Sequence, residues 1–168
     1  MGSIYLNGNV FSKEWVIPKE RNYSTSAKRL ISCVLALNGS INVITNHTII
    51  NNTSQFKLHK GRGSDSNNGG LILSIHKNDK RILLPGDVDY FYLPVVLQDS
   101  HVDFIIVPHH GARIKKDIPF MAKTNGRALI SYGKNTYGHP NANHIDELEK
   151  SNFIVELIRG RRNYEYKI

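Results

Sequence analysis

Cysteine is nearly absent from the chain. Cys33 stands alone among 168 residues, which excludes an internal disulfide and any zinc knuckle built from several thiolates. Its setting, "LISCVLAL", makes it a small apolar side chain in a helix rather than a reactive thiol. Long hydrophobic runs are missing as well. That same stretch is the longest and Ser32 interrupts it, whereas a bilayer crossing needs about 20 apolar residues. The start, "MGSIYL", has no basic stretch followed by an apolar one, so a secretory leader is not expected. Leu6 occupies the place where a myristoylation signal carries Ser or Thr. These absences lead us to expect a cytoplasmic protein with no membrane span. Internal repeats and low-complexity tracts are also lacking.

What is present is ordinary core material and an excess of positive charge. Hydrophobic residues make up 40% of the chain, enough for a folded domain and too much for a disordered one. The length suits one domain with a single core. Lys and Arg number 22 against 14 Asp and Glu, a formal net charge of +8. Such a surplus favours contact with polyanions, nucleic acid first and anionic membrane second. The basic clusters "KLHKGRG" and "RGRR" are short.

Along the chain, "STSAKRLISCVLAL" reads as a helix capped by Ser24 or Ser26 and ended by Asn38-Gly39. "INVIT" and "SQFKLH" read as strands, and "KGRGSDSNNGG" as a loop. "LILSIH" and "RILLP" are two apolar runs at hairpin spacing. A short helix is expected through "VDYFYLPVVLQ", disturbed by Pro94, and "VDFIIVP" is a continuous apolar strand. "KKDIPFMAKTNG" is expected to hold a short helix ended by Asn125-Gly126, before a strand "RALISYG". "NANHIDELEKSN" is a helix capped by Asn141 or Asn143. "FIVELI" and "NYEYKI" are expected to close the chain as a hairpin around "RGRR". Strands alternating with helices make an α/β domain.

Chemistry-bearing residues follow three of these strands. Asp87 comes after "RILLPG", His109 and His110 after "FIIVP", and His139 after "LISYG". Successive strand exits in an α/β sheet converge at one end, which is where such sheets bind ligands. One carboxylate with two or three imidazoles is a nitrogen/oxygen donor set suited to zinc, manganese or iron. Hydroxide generated on such a centre is the usual nucleophile for phosphate esters. Each feature alone is weak: a "GD" after a strand is commonly an Asx turn, and a His pair is commonly a surface feature. His47, His59, His76 and His101 read as structural or solvent-facing, His144 as a helix-face residue, and Asp103 as opening its strand from the far end of the sheet.

"NNGGLILSIHKNDKRILLPGDVD", "VDFIIVPHHGA", "LISYGKNTYGHPNANHIDELEKS" and "FIVELI" resemble the second half of a metallo-β-lactamase-fold hydrolase. Within that superfamily they are most similar to the soluble domain of ComEC-type competence proteins. The likeness covers residues 67–158, leaving 1–66 as a poorly matched N-terminal part and 159–168 as a terminal hairpin. It implies an α/β fold of the αββα metallo-β-lactamase-like sandwich type, partial or truncated in this chain. It implies a metal-dependent hydrolase with phosphodiesterase or nuclease chemistry and zinc or manganese as cofactor.

By position, the resemblance makes Asp87, His110 and His139 the metal set and gives Asp87, His109 and His110 catalytic roles. His139, Asn135 and Tyr137 would meet the substrate, a nucleic acid or nucleotide. The family's H-x-H-x-D-H or H-x-D-x-D-H signature has no counterpart: His47 runs into "TIINN", His59 into "KGRG", and Asp65 stands among serines and asparagines. Three expectations follow. The chain is one half of a split enzyme, completed by a second chain or a homodimer. Or it is a degenerate module that binds nucleic acid or a protein partner through its basic surface. Or it is an enzyme holding one ion, or none by itself.

Overall fold

A computed structural model describes residues 14–45, 55–98, 100–114, 116–133, 136–160 and Glu165. The chain is mixed α/β and divides between Thr45 and Asn46 into two compact units. Its described residues form two sheets and two helices.

The described residues of the first unit form a single β-α-β turn of chain. β1 (Glu14–Pro18) and β2 (Ser40–Ile44) pair in parallel from Glu14 with Ser40 to Pro18 with Ile44. Parallel neighbours need a crossover, and α1 (Thr25–Ala36) supplies it. Ser24 caps α1 as expected, its hydroxyl accepting the Ala27 N–H at 3.2 Å. Asn38, with φ 58°, and Gly39 end it. Val34 and Ile44 are buried, and Cys33 on α1 is half-buried.

The described residues of the second unit form a six-stranded sheet in sequence order: β3 (Phe56–Lys60), β4 (Leu71–Lys77), β5 (Lys80–Leu84), β6 (His101–Ile106), β7 (Met121–Tyr132) and β8 (Ile154–Arg159). β3, β4 and β5 are antiparallel hairpin neighbours, while β5 through β8 run parallel. α2 (Ala142–Lys150) links β7 to β8. Parallel strands added in one direction by crossovers of one hand put every crossover on the same face. That face holds the main core. Ile72, Leu83, Ile105 and Ile130 of the sheet are fully buried against Val88, Tyr90, Leu93 and Leu97 before β6, Phe120 before β7, and Leu148 of α2. A fully buried side chain of this size is worth about 1.5–3 kcal/mol. The opposite face is also apolar, with Ile82, Phe104 and Leu129 at its centre.

The structure corrects the local expectations at two places. "VDYFYLPVVLQ" forms two single 3₁₀ turns, Tyr90–Tyr92 and Val95–Leu97, because Leu93 and Pro94 between them are extended. "KKDIPFMAKTNG" contributes no helix among its described residues; Met121 onward is β7. The Asn125-Gly126 signal is real but marks an irregularity inside a strand. Asn125 has φ 62°, and pairing with β6 slips between Val102 and Phe104. The hairpin expected through "NYEYKI" lies almost wholly outside the described residues, and β8 pairs with β7. No helix among the described residues is long and apolar enough to cross a membrane.

Candidate active site

Parallel order places the carboxyl ends of β5, β6 and β7 side by side, so their three exit loops share one end of the sheet. After β5 the chain turns at Gly86 (φ 60°), with Val88 N–H bonded to Pro85 O at 3.1 Å. Val88 is buried and anchors the turn. Asp87 before it is left facing outward, its side chain 59% exposed.

The exit of β6 is conformationally costly. His109, His110 and Gly111 are all left-handed, at φ 49°, 53° and 75°. For a residue with a Cβ this region costs about 1–2 kcal/mol, and such strain gathers at functional sites. Gly111 has to be glycine. A Cβ there would lie 2.9 Å from Pro140 Cβ and 3.0 Å from Ile130 Cγ2. Its carbonyl accepts the Asn141 N–H at 2.8 Å, which ties the third exit loop to the second. Asn141 is also the cap of α2, its side chain accepting from Asn143 N–H.

Of the expected site residues, the fold brings Asp87 and His109 together: Asp87 Oδ1 is 4.0 Å from His109 Nδ1. That separation is just beyond direct hydrogen-bond length, and one ordered water can bridge it. His110 turns elsewhere. Its Nδ1–H donates to Ser131 O at 2.7 Å, leaving Nε2 as the acceptor nitrogen on an exposed ring. His139 stacks on the exposed ring of Tyr137, with centroids 6.0 Å apart and planes at 22°. Asn135 lies outside the described residues.

A zinc or manganese centre needs three or four donors around one point. Among the described residues no three His, Cys, Asp or Glu side chains gather in that way. Asp87 with His109 provides two donors, and Asp87, His110 and His139 do not close a third position. The described donors do not fit a metal ion by themselves.

Sequence reasoning overlooked what lies beside His109. A cleft of about 530 Å³ is lined by Asp65, Asn68, Asp89, Phe91, His109 and Arg113. Asp65 organises its far wall, accepting from Asn67 N–H (3.0 Å), Asn68 N–H (2.8 Å) and Asn68 Nδ2 (3.0 Å). The Asn68 backbone bond leads in holding this carboxyl below the usual range. Asn68 Oδ1 then accepts the Asp89 N–H at 3.1 Å, fastening this loop to the exit of β5. Gly61 lets the loop close, because a Cβ there would collide with Asn68 O. The Asp-x-Asn-Asn spacing of an Asx turn was the available signal.

His144 is the second omission. It is 1% exposed, and its Nδ1–H donates to Ala112 O at 2.7 Å. Its Nε2 accepts from Tyr90 Oη–H at 2.9 Å. Burial is the main cause that lowers the His144 pKa, so the ring is neutral and the tautomer is set by these two bonds. The spacing from His144 to the buried Leu148 puts both on one helix face, which is the signal a reading of isolated residues overlooks.

No family model, curated protein or solved structure matches this chain.

Proposed function

We propose that the chain is a phosphodiester hydrolase of the metallo-β-lactamase type, working at the strand exits where Asp87 faces His109. The single observation that supports this reading is the 4.0 Å approach of Asp87 Oδ1 to His109 Nδ1, made at a strained loop beside a polar cleft. Asp87 faces the Nδ1 side of the imidazole and positions it, and His109 Nε2 takes the proton from an attacking water. The water oxygen bonds to phosphorus, the bond to the leaving oxygen breaks, and that oxygen collects a proton from the imidazolium or from solvent. Arg113 and Lys116, which line the same cleft, offer cations for the phosphate oxygens. This step runs on the Asp87–His109 pair, and the donors that a metal ion would need are not gathered among the described residues.

Hydrolysis of bis(p-nitrophenyl) phosphate, with and without added zinc or manganese, tests the proposal. Asp87→Asn and His109→Asn should each lower the rate by about 100-fold or more, the usual worth of a positioned acid–base group. Rates unchanged in both variants, or no hydrolysis by the unaltered chain under any of these conditions, would overturn it. The competing reading, a module that binds nucleic acid or a protein partner, draws on the net charge of +8.

A further inference from the structure

We propose that a second site, at the opposite end of the sheet, binds the phosphate groups of a nucleic-acid strand. Where β5, β6 and β7 begin, a cleft of about 740 Å³ is lined by Lys77, Lys80, Arg81, Lys123, His76 and His101. The antiparallel β4 ends there too, so its turn into β5 delivers Lys77 and Lys80 from either side of Asn78-Asp79. Two carboxylates share the space and each holds one lysine. Asp103, 2% exposed, accepts from Lys80 Nζ at 3.0 Å and from Arg81 N–H at 2.8 Å. Asp79 accepts from Lys123 Nζ. Four cations, Lys77, Lys80, Arg81 and Lys123, against Asp79 and Asp103 leave a surplus of two positive charges with the histidines neutral.

That surplus resides on Lys77 and Arg81, neither of which forms an ion pair among the described residues. Arg81 is held on one side only, one guanidinium NH₂ reaching Val96 O at 3.5 Å. Its Nε is buried and has no hydrogen-bond partner among the described residues. The local field points the same way. His76 is held below its ordinary pKa by burial first, then by the charges of Arg81 and Lys57.

The cations sit on two separate segments, the strand ends of the β4–β5 hairpin and the irregular stretch of β7, rather than around one glycine-rich helix start that grips a single phosphate. Spread charge along an open cleft suits a strand whose phosphates repeat. The site is independent of the Asp87–His109 pair and stands whether or not that pair is catalytic.

The test is fluorescence anisotropy with a labelled single-stranded oligothymidylate of about 20 nucleotides, repeated across a range of salt concentrations. The double variant Lys77→Gln/Arg81→Gln should weaken binding about tenfold at low salt. It should also flatten the slope of log K against log salt by about 1.4, twice the ~0.7 per phosphate contact on a single strand. Lys28→Gln/Arg29→Gln on α1 removes the same charge elsewhere and should change affinity less than about twofold. Equal loss in both double variants would reduce the effect to net charge and overturn the proposal, as would absence of binding by the unaltered chain. A nucleoside triphosphate that displaces the strand at equal phosphate concentration would overturn the assignment to a strand. If the double variant does not fold, Lys77→Gln on its exposed turn should still flatten the slope by about 0.7, and an unchanged slope would overturn the proposal.

Discussion

Tyr90 and His144, fifty-four residues apart, are joined by a buried hydrogen bond of 2.9 Å in which the phenol donates to Nε2. Burial raises the Tyr90 pKa well above its ordinary value, so the hydroxyl keeps its proton and remains the donor. The bond links the exit of β5 to α2, and through the His144 bond to Ala112 it also reaches the loop after His109-His110-Gly111. The three strand exits are therefore held by a polar bond as well as by packing.

Tyr90→Phe keeps the ring, with its edge-to-face contacts to Phe120 and His144, and removes only the donor. His144 Nε2 is then a buried acceptor without a partner, and the expected cost is about 1–3 kcal/mol. Urea denaturation of the variant beside the parent measures it. An unchanged midpoint would show that the bond contributes nothing to stability.

His144 also sets a direction for pH. Its pKa in the folded chain is lowered, mainly by burial, and the bond to Ala112 opposes that only in part. Below the unfolded value of about 6.5 the unfolded chain takes up a proton that the folded chain refuses. Stability is therefore full above that pH and is lost as pH falls from there toward the lower folded value. His76, also lowered by burial, adds in the same direction. Thermal melts across this range should show Tm falling with pH, and His144→Gln should make the fall shallower even though its Tm starts lower.

At Gly111 both conformation and space resist a side chain. Gly111→Ala combines left-handed strain with contacts at 2.9 and 3.0 Å to Pro140 and Ile130, a cost of about 2–4 kcal/mol. Its neighbour answers differently. His110 is left-handed yet exposed, so His110→Gly should be more stable than His110→Ala by roughly 0.5–1 kcal/mol. Equal stability of those two variants in chemical denaturation would mean that the loop carries no such strain.

Asp103 is the buried carboxylate of β6, bonded to Lys80 Nζ and to the Arg81 N–H. Asp103→Ala removes an acceptor shared by a charged and a neutral donor and should cost about 1.5–3 kcal/mol. It should also loosen the β5–β6 end of the cationic cleft, which faster amide exchange at Arg81 would report.

Much of this was written in local pattern. The helix after Ser24, the hairpin of β4 and β5, the apolar strand of β6 and the helix after Asn141 each arise from spacing and capping that neighbouring residues settle among themselves. The sequence also placed Asp87 and the paired histidines just beyond strands, and parallel pairing of those strands sets Asp87 against His109. The rest depended on residues far apart in the chain. β7 overrode a helix-ending Asn-Gly because its ends pair with β6 and β8. His144, an ordinary residue on a helix, became a buried link only once α2 was laid against Tyr90. The cleft around Arg81 formed from one hairpin turn and one strand irregularity that no short window of sequence contains. Secondary structure is decided over a few residues, where backbone sterics and periodicity act; a site is decided by which strand lies beside which, and only long-range packing settles that.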